Sequence, residues 1–275
     1  MDFLEIIKIF FISLIEGITE WLPVSSTGHM ILFDDIVRLN FSEEFKSLFM
    51  VVIQLGAILA VVFLYFEKLN PFSPSKSRYE KSKTWDLWKK VIVGCLPMAI
   101  LGFLLDDFID SKLKNAWIVA SMLILYGILF IVIERAKKRS SKKLKITETS
   151  NISYVDALKI GGFQILSLVP GTSRSGSTII GGLLSGASRE VAAEFSFFMG
   201  IPLMFGASFL KIVKYGFNYS TSEIFYLSLA MILTFVISIF VIKTLMEYLK
   251  KHNFEVFGWY RIVLGVIVLT FFLLK

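Results

Sequence analysis

The segment EGITEWLPVSSTGHM, residues 16–30, interrupts an apolar N-terminal stretch with two acids, a proline, several hydroxyls and a histidine. Proline lacks a backbone N–H and disfavours helix at the residue before it, so a helix is expected to end near Pro23. The Ser and Gly residues that follow allow a tight reversal of the chain. The pattern therefore predicts a helix, a break and a second helix, over residues 2–22 and 26–38.

A second break of the same kind lies in VPGTSRSGST, residues 169–178. It separates the apolar pieces 155–168 and 173–186, each too short to cross a roughly 30 Å hydrocarbon layer, which takes about 20 residues. Irregular backbone at membrane depth is tolerated only where protein or water surrounds it. Each pair of short helices is therefore predicted to form a re-entrant helical hairpin.

The rest of the chain is apolar enough to be embedded in lipid. Of its 275 residues 55% are hydrophobic, and the mean hydropathy is +0.71, whereas soluble domains are less apolar. The sequence predicts an all-α polytopic membrane protein with about six transmembrane helices besides the hairpins. The six runs long enough to span a bilayer are 47–66, 88–105, 116–133, 194–213, 224–246 and 258–274.

The two halves of the chain resemble one another weakly. When the breaks are aligned on their prolines, Ser26 falls opposite Ser173. Each half reads as a hairpin followed by about three spans, and an odd number of crossings inverts the second half relative to the first. The predicted organisation is one membrane domain, with repeat one at 1–135, a cytoplasmic loop at 136–153 and repeat two at 154–275. Further matched positions are Glu44 with Glu194 and Gly56 with Gly206.

The net charge of +7 is concentrated in two segments beside the spans, 68–90 and 134–150. The positive-inside rule places both in the cytoplasm, and anionic lipid headgroups rather than nucleic acid are their expected partners. Counting the crossings from there places both termini and the first hairpin on the extracytoplasmic side. The second hairpin then enters from the cytoplasm, and the two breaks are expected to meet near the middle of the membrane.

Glu16 and Glu20 lie four residues apart and therefore share one face of the first helix. One interpretation is an amphipathic helix in the membrane interface, because Glu5 and Lys8 fall on the same side. The other is that the two carboxylates bind Mg²⁺ or Ca²⁺, hard cations that prefer oxygen ligands. On this segment alone both interpretations are open.

Polar residues that suit a phosphate follow the first break. A helix that begins there presents unpaired N–H groups and a positive dipole end, which attract phosphate. The candidates for contact with the substrate are Ser25, Ser26 and Thr27. His29 follows Ser26 by three residues and lies near the two glutamates, so it is a candidate for proton transfer.

The second break supplies positive charge through Arg174. Arginine at membrane depth costs about 2.5–3.5 kcal/mol or more, so it requires a partner. Its planar fork can bind a phosphate with two hydrogen bonds. A surface arginine in a flexible loop is the alternative. The hydroxyl residues that could bind the same phosphate are Thr172, Ser173, Ser175 and Thr178.

Carboxylates for a metal, an anion cradle, an arginine, a histidine and serines are together typical of phosphoryl transfer. Their position in a membrane predicts a lipid-borne phosphate as substrate. Ser26 is the candidate nucleophile with His29 as its general base, while water or Ser173 remain alternatives. A secondary transporter or lipid flippase would share the repeats and broken helices, but it does not require a serine and a histidine beside metal-binding carboxylates.

The motifs Glu16-x-x-x-Glu20 with its trailing SSTGH, and Pro170-Gly-x-Ser-Arg-Ser-x-x-Thr178, resemble those of the bacterial undecaprenyl-pyrophosphate phosphatases of the bacitracin-resistance type. The resemblance covers nearly the whole chain. It implies divalent-cation-dependent hydrolysis of undecaprenyl pyrophosphate at the bacterial inner membrane, which recycles the lipid carrier for cell-wall polysaccharides. It leaves a homodimer open. The motif residues carried over by position are Glu16, Glu20, Ser26, His29, Ser173, Arg174 and Thr178.

Overall fold

The computed structural model describes residues 2–109, 113, 115–139, 144–216 and 219–274. The side chains of residues 27, 31, 34–36 and 106–108 lie outside this description, as do residues 140–143 of the predicted cytoplasmic loop. The helices are α1 (Phe3–Thr19), α2 (Ser26–Val37), α3 (Glu43–Leu64), α4 (Phe66–Leu69), α5 (Arg78–Phe108), α6 (Ala116–Arg139), α7 (Tyr154–Ile165), α8 (Arg174–Leu184), α9 (Arg189–Tyr215), α10 (Thr221–Leu249) and α11 (Glu255–Leu274).

Six of these helices, α3, α5, α6, α9, α10 and α11, are long and apolar enough to cross a membrane. They coincide with the six predicted runs, so the prediction of an all-helical polytopic membrane protein is confirmed. The largest difference is at α5, which begins at Arg78 rather than at residue 88. Ser77 and Glu80 each accept a hydrogen bond from the other's backbone N–H, at 3.2 and 2.7 Å, and this capping starts the helix before the chain becomes apolar.

Short helices flank both predicted breaks. In the first half α1 ends at Thr19 and α2 begins at Ser26. In the second half α7 continues as a 3₁₀ turn, Leu166–Leu168, before α8 begins at Arg174. The members of each pair contact one another. The course of these pairs through a bilayer, and hence their re-entrant character, stays a prediction.

The helices of the two halves are interleaved. α1 packs against α10 and α7 packs against α5, so each half places its first helix on a long helix of the other half. Further contacts between the halves join α3 to α9 and α6 to α11. This exchange is the arrangement expected of two related halves, and the inversion of the second half stays a prediction.

The backbone at the breaks corrects the alignment of the two halves. Ser25 and Ser173 both have positive φ, 73° and 75°, which is uncommon for residues other than glycine. Each hydroxyl accepts the backbone N–H three residues further on, at 3.3 and 3.1 Å. Ser25, and not Ser26, is therefore the counterpart of Ser173. The alignment on the prolines was wrong by one residue because the second break has one more residue between its proline and the capping serine.

The aligned glycines are packed differently in the two halves. A Cβ at Gly56 would lie 2.3 Å from the carbonyl oxygen of Met231, so α10 is in direct contact with α3 at this point. A Cβ at Gly206 in α9 would have no atom within 4 Å among the described residues. The second half therefore has an open helix face where the first half is closed.

Candidate active site

A cavity of about 180 Å³ lies where the two breaks meet. The first break contributes Glu20 and Ser26 to its wall, and the second contributes Ser173 and Arg174. As predicted, the two breaks share one cavity, but the predicted site residues Glu16 and His29 are not among its wall residues. The remaining wall residues include Gln54 of α3, Met98 of α5, and Leu203, Met204 and Ala207 of α9.

An ion pair joins the two breaks directly. Arg174 Nη2 donates to Glu20 Oε1 at 2.9 Å, and the two side chains are only 11% and 8% exposed. The partner that an arginine requires at membrane depth is therefore Glu20. Removal of either member would leave a buried unpaired charge, which costs about 3–5 kcal/mol.

The Arg174 guanidinium is held against α9 and keeps one donor unused. Its Nη1 donates to the carbonyl oxygen of Ser196 at 2.8 Å. Gly200 allows this approach, because a Cβ there would lie only 3.0 Å from the guanidinium. The buried Nε has no hydrogen-bond partner among the described residues. An anion in the cavity would supply that partner, because a buried donor is normally satisfied.

The Ser26 hydroxyl is hydrogen-bonded to a carboxylate. Ser26 Oγ donates to Glu20 Oε2 at 2.7 Å, while the other oxygen of the same carboxylate accepts from Arg174. Glu20 is therefore in position to accept a proton from Ser26. The geometry gives the serine a different proton acceptor from the histidine that the sequence analysis proposed.

His29 is engaged on both ring nitrogens by other partners. Nδ1 lies 2.7 Å from the carbonyl oxygen of Ser25 and therefore carries the proton, because a carbonyl can only accept. Nε2 then accepts from the Tyr260 hydroxyl at 2.7 Å, and the two rings stack with centroids 5.7 Å apart. Within the described part of the chain no hydrogen bond joins His29 to Ser26. The proposed role of His29 as the base for Ser26 does not match this arrangement.

Glu16 is completely buried, and neither of its carboxylate oxygens has a hydrogen-bond partner among the described residues. An unpartnered buried carboxylate requires a cation or a proton. Mg²⁺ is commonly held by one or two carboxylates, with waters and substrate phosphates completing its coordination. Glu16 fits that pattern, and each Glu20 oxygen, which already accepts one hydrogen bond, has a second lone pair for a metal. The described residues contain no cluster of three or more His, Cys, Asp or Glu side chains.

Most of the predicted substrate-binding hydroxyls have another use. Of the candidates beside Arg174, Ser173 lines the cavity, and its hydroxyl also caps α8. Ser175 Oγ donates to the carbonyl oxygen of Glu20 at 3.1 Å and so ties the second break to the first. Thr178 Oγ1 lies 2.6 Å from the Ser196 hydroxyl. The buried candidates that do not line the cavity are Ser25, Thr172, Ser175 and Thr178, and the Thr27 side chain lies outside the described residues.

The sequence was compared with protein families and with individual relatives, and the relatives are named as phosphatases. A sequence profile described as bacitracin resistance protein BacA matches residues 9–267, nearly the whole chain. The chain belongs to the BacA family. Three relatives with similar sequences cover it almost entirely. They are an undecaprenyl-diphosphatase of Enterococcus faecalis, 56% identical over 272 residues and 98% of each chain; one of Lachnoclostridium phytofermentans, 54% identical over 274 residues, with 100% of this chain and 99% of the relative; and undecaprenyl-diphosphatase 1 of Clostridium acetobutylicum, 52% identical over 275 residues and 100% of each.

Three residues around this BacA-family site were not predicted from the sequence. Ser196 holds Arg174 and Thr178 from α9, and Tyr260 holds His29 from α11. Arg261, the next residue in α11, is completely buried. Only Arg261 gave a signal in the sequence, because a charge within a predicted span indicates a functional or structural site by default.

Proposed function

We propose that this chain hydrolyses undecaprenyl diphosphate to undecaprenyl phosphate and inorganic phosphate. The observation that carries the proposal is the run of contacts from the Ser26 hydroxyl to the Glu20 carboxylate and on to the Arg174 guanidinium within one cavity. A nucleophile, a proton acceptor and an anion clamp are thereby in contact before any substrate enters. The names of the relatives, each an undecaprenyl-diphosphatase aligned over nearly its whole length, support the same activity.

In the proposed reaction Ser26 Oγ attacks the terminal phosphorus of the diphosphate. Its proton passes to Glu20 along the 2.7 Å hydrogen bond. The bond between that phosphorus and the bridging oxygen breaks, and undecaprenyl phosphate leaves with the electron pair and the proton from Glu20. Water, deprotonated by Glu20, then attacks the phosphoserine, releasing inorganic phosphate and restoring the Ser26 hydroxyl.

Arg174 would stabilise the negative charge on the phosphoryl group in transfer. Its Nε–H has no partner in the described part of the chain, and its Nη2–H donates to the carboxylate that takes part in the reaction. Donors fixed before the reaction stabilise a transition state without reorganising. The Ser196 carbonyl and Gly200 hold the guanidinium in place for this role.

Glu16 and Glu20 would hold a divalent cation, Mg²⁺ or Ca²⁺, as the sequence analysis proposed. The two unpartnered oxygens of buried Glu16 support this assignment. Such a cation, when bound, neutralises charge on the phosphate oxygens of the substrate.

The alternative nucleophiles have less support. Ser173 Oγ accepts a backbone N–H at 3.1 Å and lies 3.2 Å from Ser175 Oγ, so it serves as a helix cap, and it has no carboxylate partner among the described residues. Direct attack by water needs the same base, Glu20. Transport without hydrolysis has no support among the relatives, since those compared are all named as phosphatases.

The distribution of basic residues supports a cavity open to the extracytoplasmic side of the bacterial inner membrane, with both termini on that side. α6 ends with the basic residues Lys137, Lys138 and Arg139. Because α5 and α6 are consecutive spans, the basic start of α5 lies on the same side of the membrane as this end of α6. Under the positive-inside rule these ends are cytoplasmic.

Phosphate release by purified protein in detergent tests the function, because no gradient can be stored there. Undecaprenyl diphosphate, a short prenyl diphosphate and EDTA-treated samples would be compared. We expect release of inorganic phosphate from the long lipid and its loss with EDTA. Movement of the lipid in vesicles without phosphate release in detergent would contradict the proposal.

A further inference from the structure

Arg261 in the second turn of α11 is a buried charge with no carboxylate partner among the described residues. Its side chain is completely buried, and α11 is long and apolar enough to cross the membrane. Arginine at such a position costs about 2.5–3.5 kcal/mol or more. The fold must therefore supply compensating hydrogen bonds.

Backbone carbonyl groups supply that compensation, and they come from both breaks. Arg261 Nη1 donates to the carbonyl oxygen of Pro23 at 3.0 Å. Its Nη2 donates to the carbonyl oxygens of Gly171 and Thr172 at 2.8 and 3.0 Å. One guanidinium thus bonds to the first break and the second break together.

Three further contacts fix the position of this guanidinium relative to α6. Longer bonds run from Nε and Nη2 to the carbonyl oxygens of Leu123 and Met122, at 3.4 and 3.5 Å. The guanidinium carbon also lies 5.6 Å from the centre of the Tyr126 ring, within the range of a cation–π contact. Arg261 therefore reaches the breaks from the contact between α6 and α11.

The carbonyls at a break have no helical partner and need one at membrane depth. The second break is pressed against α6, since a Cβ at Gly171 would lie 2.4 Å from the Val119 carbonyl oxygen. Gly171 has φ of +91°, a conformation that glycine adopts readily. Its carbonyl is thereby presented to Arg261.

We propose that Arg261 is a positioning residue for the phosphatase reaction. It sets the distance between the two breaks and so brings Arg174 against Glu20 and Ser26. This inference rests on the proposed function, because it assigns a task within the same site. Pro23 lies three residues before Ser26 and Thr172 lies two residues before Arg174, so the bonds act on the backbone segments that carry the reacting groups.

Lysine cannot replace arginine here, because an ammonium group has no planar fork to bond carbonyls on two segments at once. We expect Arg261→Lys to leave a folded protein whose breaks are slightly displaced. A misplacement of about 1 Å can cost about 100-fold in rate. The loss should appear in kcat, with KM within about threefold, because the interaction is needed in the transition state.

Arg189→Lys is the matched control. Arg189 forms a two-pronged ion pair with buried Glu134, through Nε and Nη2 at 2.9 and 2.7 Å, and it does not line the cavity. Its loss should lower thermal stability and leave kcat per folded molecule unchanged. If Arg261→Lys likewise lowered thermal stability and left kcat per folded molecule unchanged, the positioning role would be overturned.

A double-mutant cycle with Arg174→Lys separates positioning from general destabilisation. If Arg261 acts by placing Arg174, adding Arg261→Lys to Arg174→Lys should reduce kcat by less than threefold, since interacting residues are not additive. Full additivity would overturn the proposal. Arg261→Gln serves as a second variant, and failure of both variants to fold would assign Arg261 a structural role instead. An inactive wild-type protein would refute the proposed function itself.

Discussion

At the scale of single residues, the site depends on which group takes the proton of Ser26. The carboxylate of Glu20 lies 2.7 Å from the hydroxyl and is itself held by Arg174. Ser173 has the same type of side chain at the other break, but within the described part of the chain its hydroxyl bonds only to the capped N–H of Gly176 and to Ser175. The two serines therefore have different expected roles despite their similar surroundings.

Ser26→Ala and Ser173→Ala make a matched pair. Ser26→Ala should reduce turnover by at least about 1,000-fold, because among the described residues no other hydroxyl is hydrogen-bonded to the Glu20 carboxylate. Ser173→Ala should retain activity within about tenfold and lose about 0.5–2 kcal/mol of stability through the missing cap. Phosphate release and thermal unfolding measure the two effects. Substantial activity in Ser26→Ala would indicate that water is the nucleophile.

The position of His29 gives a second residue-scale prediction. General-base catalysis contributes about 10²–10⁴-fold, so a catalytic His29 would show a loss of that size in His29→Gln. Because its nitrogens are bonded to Ser25 and Tyr260, we expect a loss of less than about tenfold. Tyr260→Phe, which removes one of those bonds, should have a similar effect. A 1,000-fold loss in His29→Gln alone would return the role of base to the histidine.

At the scale of secondary-structure elements, α3 is in close contact with α10 at Gly56, whereas α9 has no comparable contact at the aligned residue Gly206 among the described residues. Gly56 lies against the Met231 backbone, whereas Gly206 lies in open space among the described residues. Gly56→Ala should therefore destabilise the protein by about 1–3 kcal/mol through overpacking. Gly206→Ala should be neutral or slightly stabilising, because alanine is the better helix former by about 1 kcal/mol.

Thermal unfolding of the two alanine variants in one detergent tests this difference. We expect the midpoint to fall for Gly56→Ala and to stay level or rise for Gly206→Ala. Equal shifts in both would mean that the two halves are packed alike at these positions. The wild-type protein in the same detergent is the reference.

Sequence alone predicted the elements well and their register less well. The six spans were found because each run is long and apolar, and the breaks were found because proline and clustered serines interrupt helices. The capping role of Ser25 was missed, since its positive φ is a property of the folded backbone. The start of α5 was missed because a charged helix outside the lipid has no hydropathy signal.

The missing parts of the site are contacts between distant segments. His29 and Tyr260 are 231 positions apart, and Arg261 is bonded to carbonyls of Pro23 and Thr172. Backbone carbonyls exist at every residue, so no sequence pattern marks the ones that an arginine will bind. Glu20 and Arg174 were both placed at the site in advance, because each is a charge in an apolar chain, but their ion pair was not predicted, since Glu20 was assigned to a metal and Arg174 to a phosphate.

At the scale of the whole molecule, a membrane-embedded site must admit a long lipid chain as well as a phosphate. The cavity wall includes Leu203 and Ala207 of α9 and Met98 of α5. Gly206 precedes the wall residue Ala207 in the sequence of α9, and its surroundings are open among the described residues. We therefore expect the polyprenyl chain to leave the cavity across this face of α9.

Filling that face should obstruct the lipid chain and spare the chemistry. Gly206→Phe is expected to raise KM for undecaprenyl diphosphate by about tenfold and to change KM for a short prenyl diphosphate little. kcat should change little, because the lost contacts bind the substrate and the transition state equally. Gly162→Phe in α7 is the control, because Gly162 also has no neighbour within 4 Å in the described part but does not adjoin the wall residues of α9. An obstruction at the exit acts only on substrates long enough to reach it. If both variants raise KM equally, or if the short substrate is affected as strongly as the long one, the polyprenyl chain therefore takes another path.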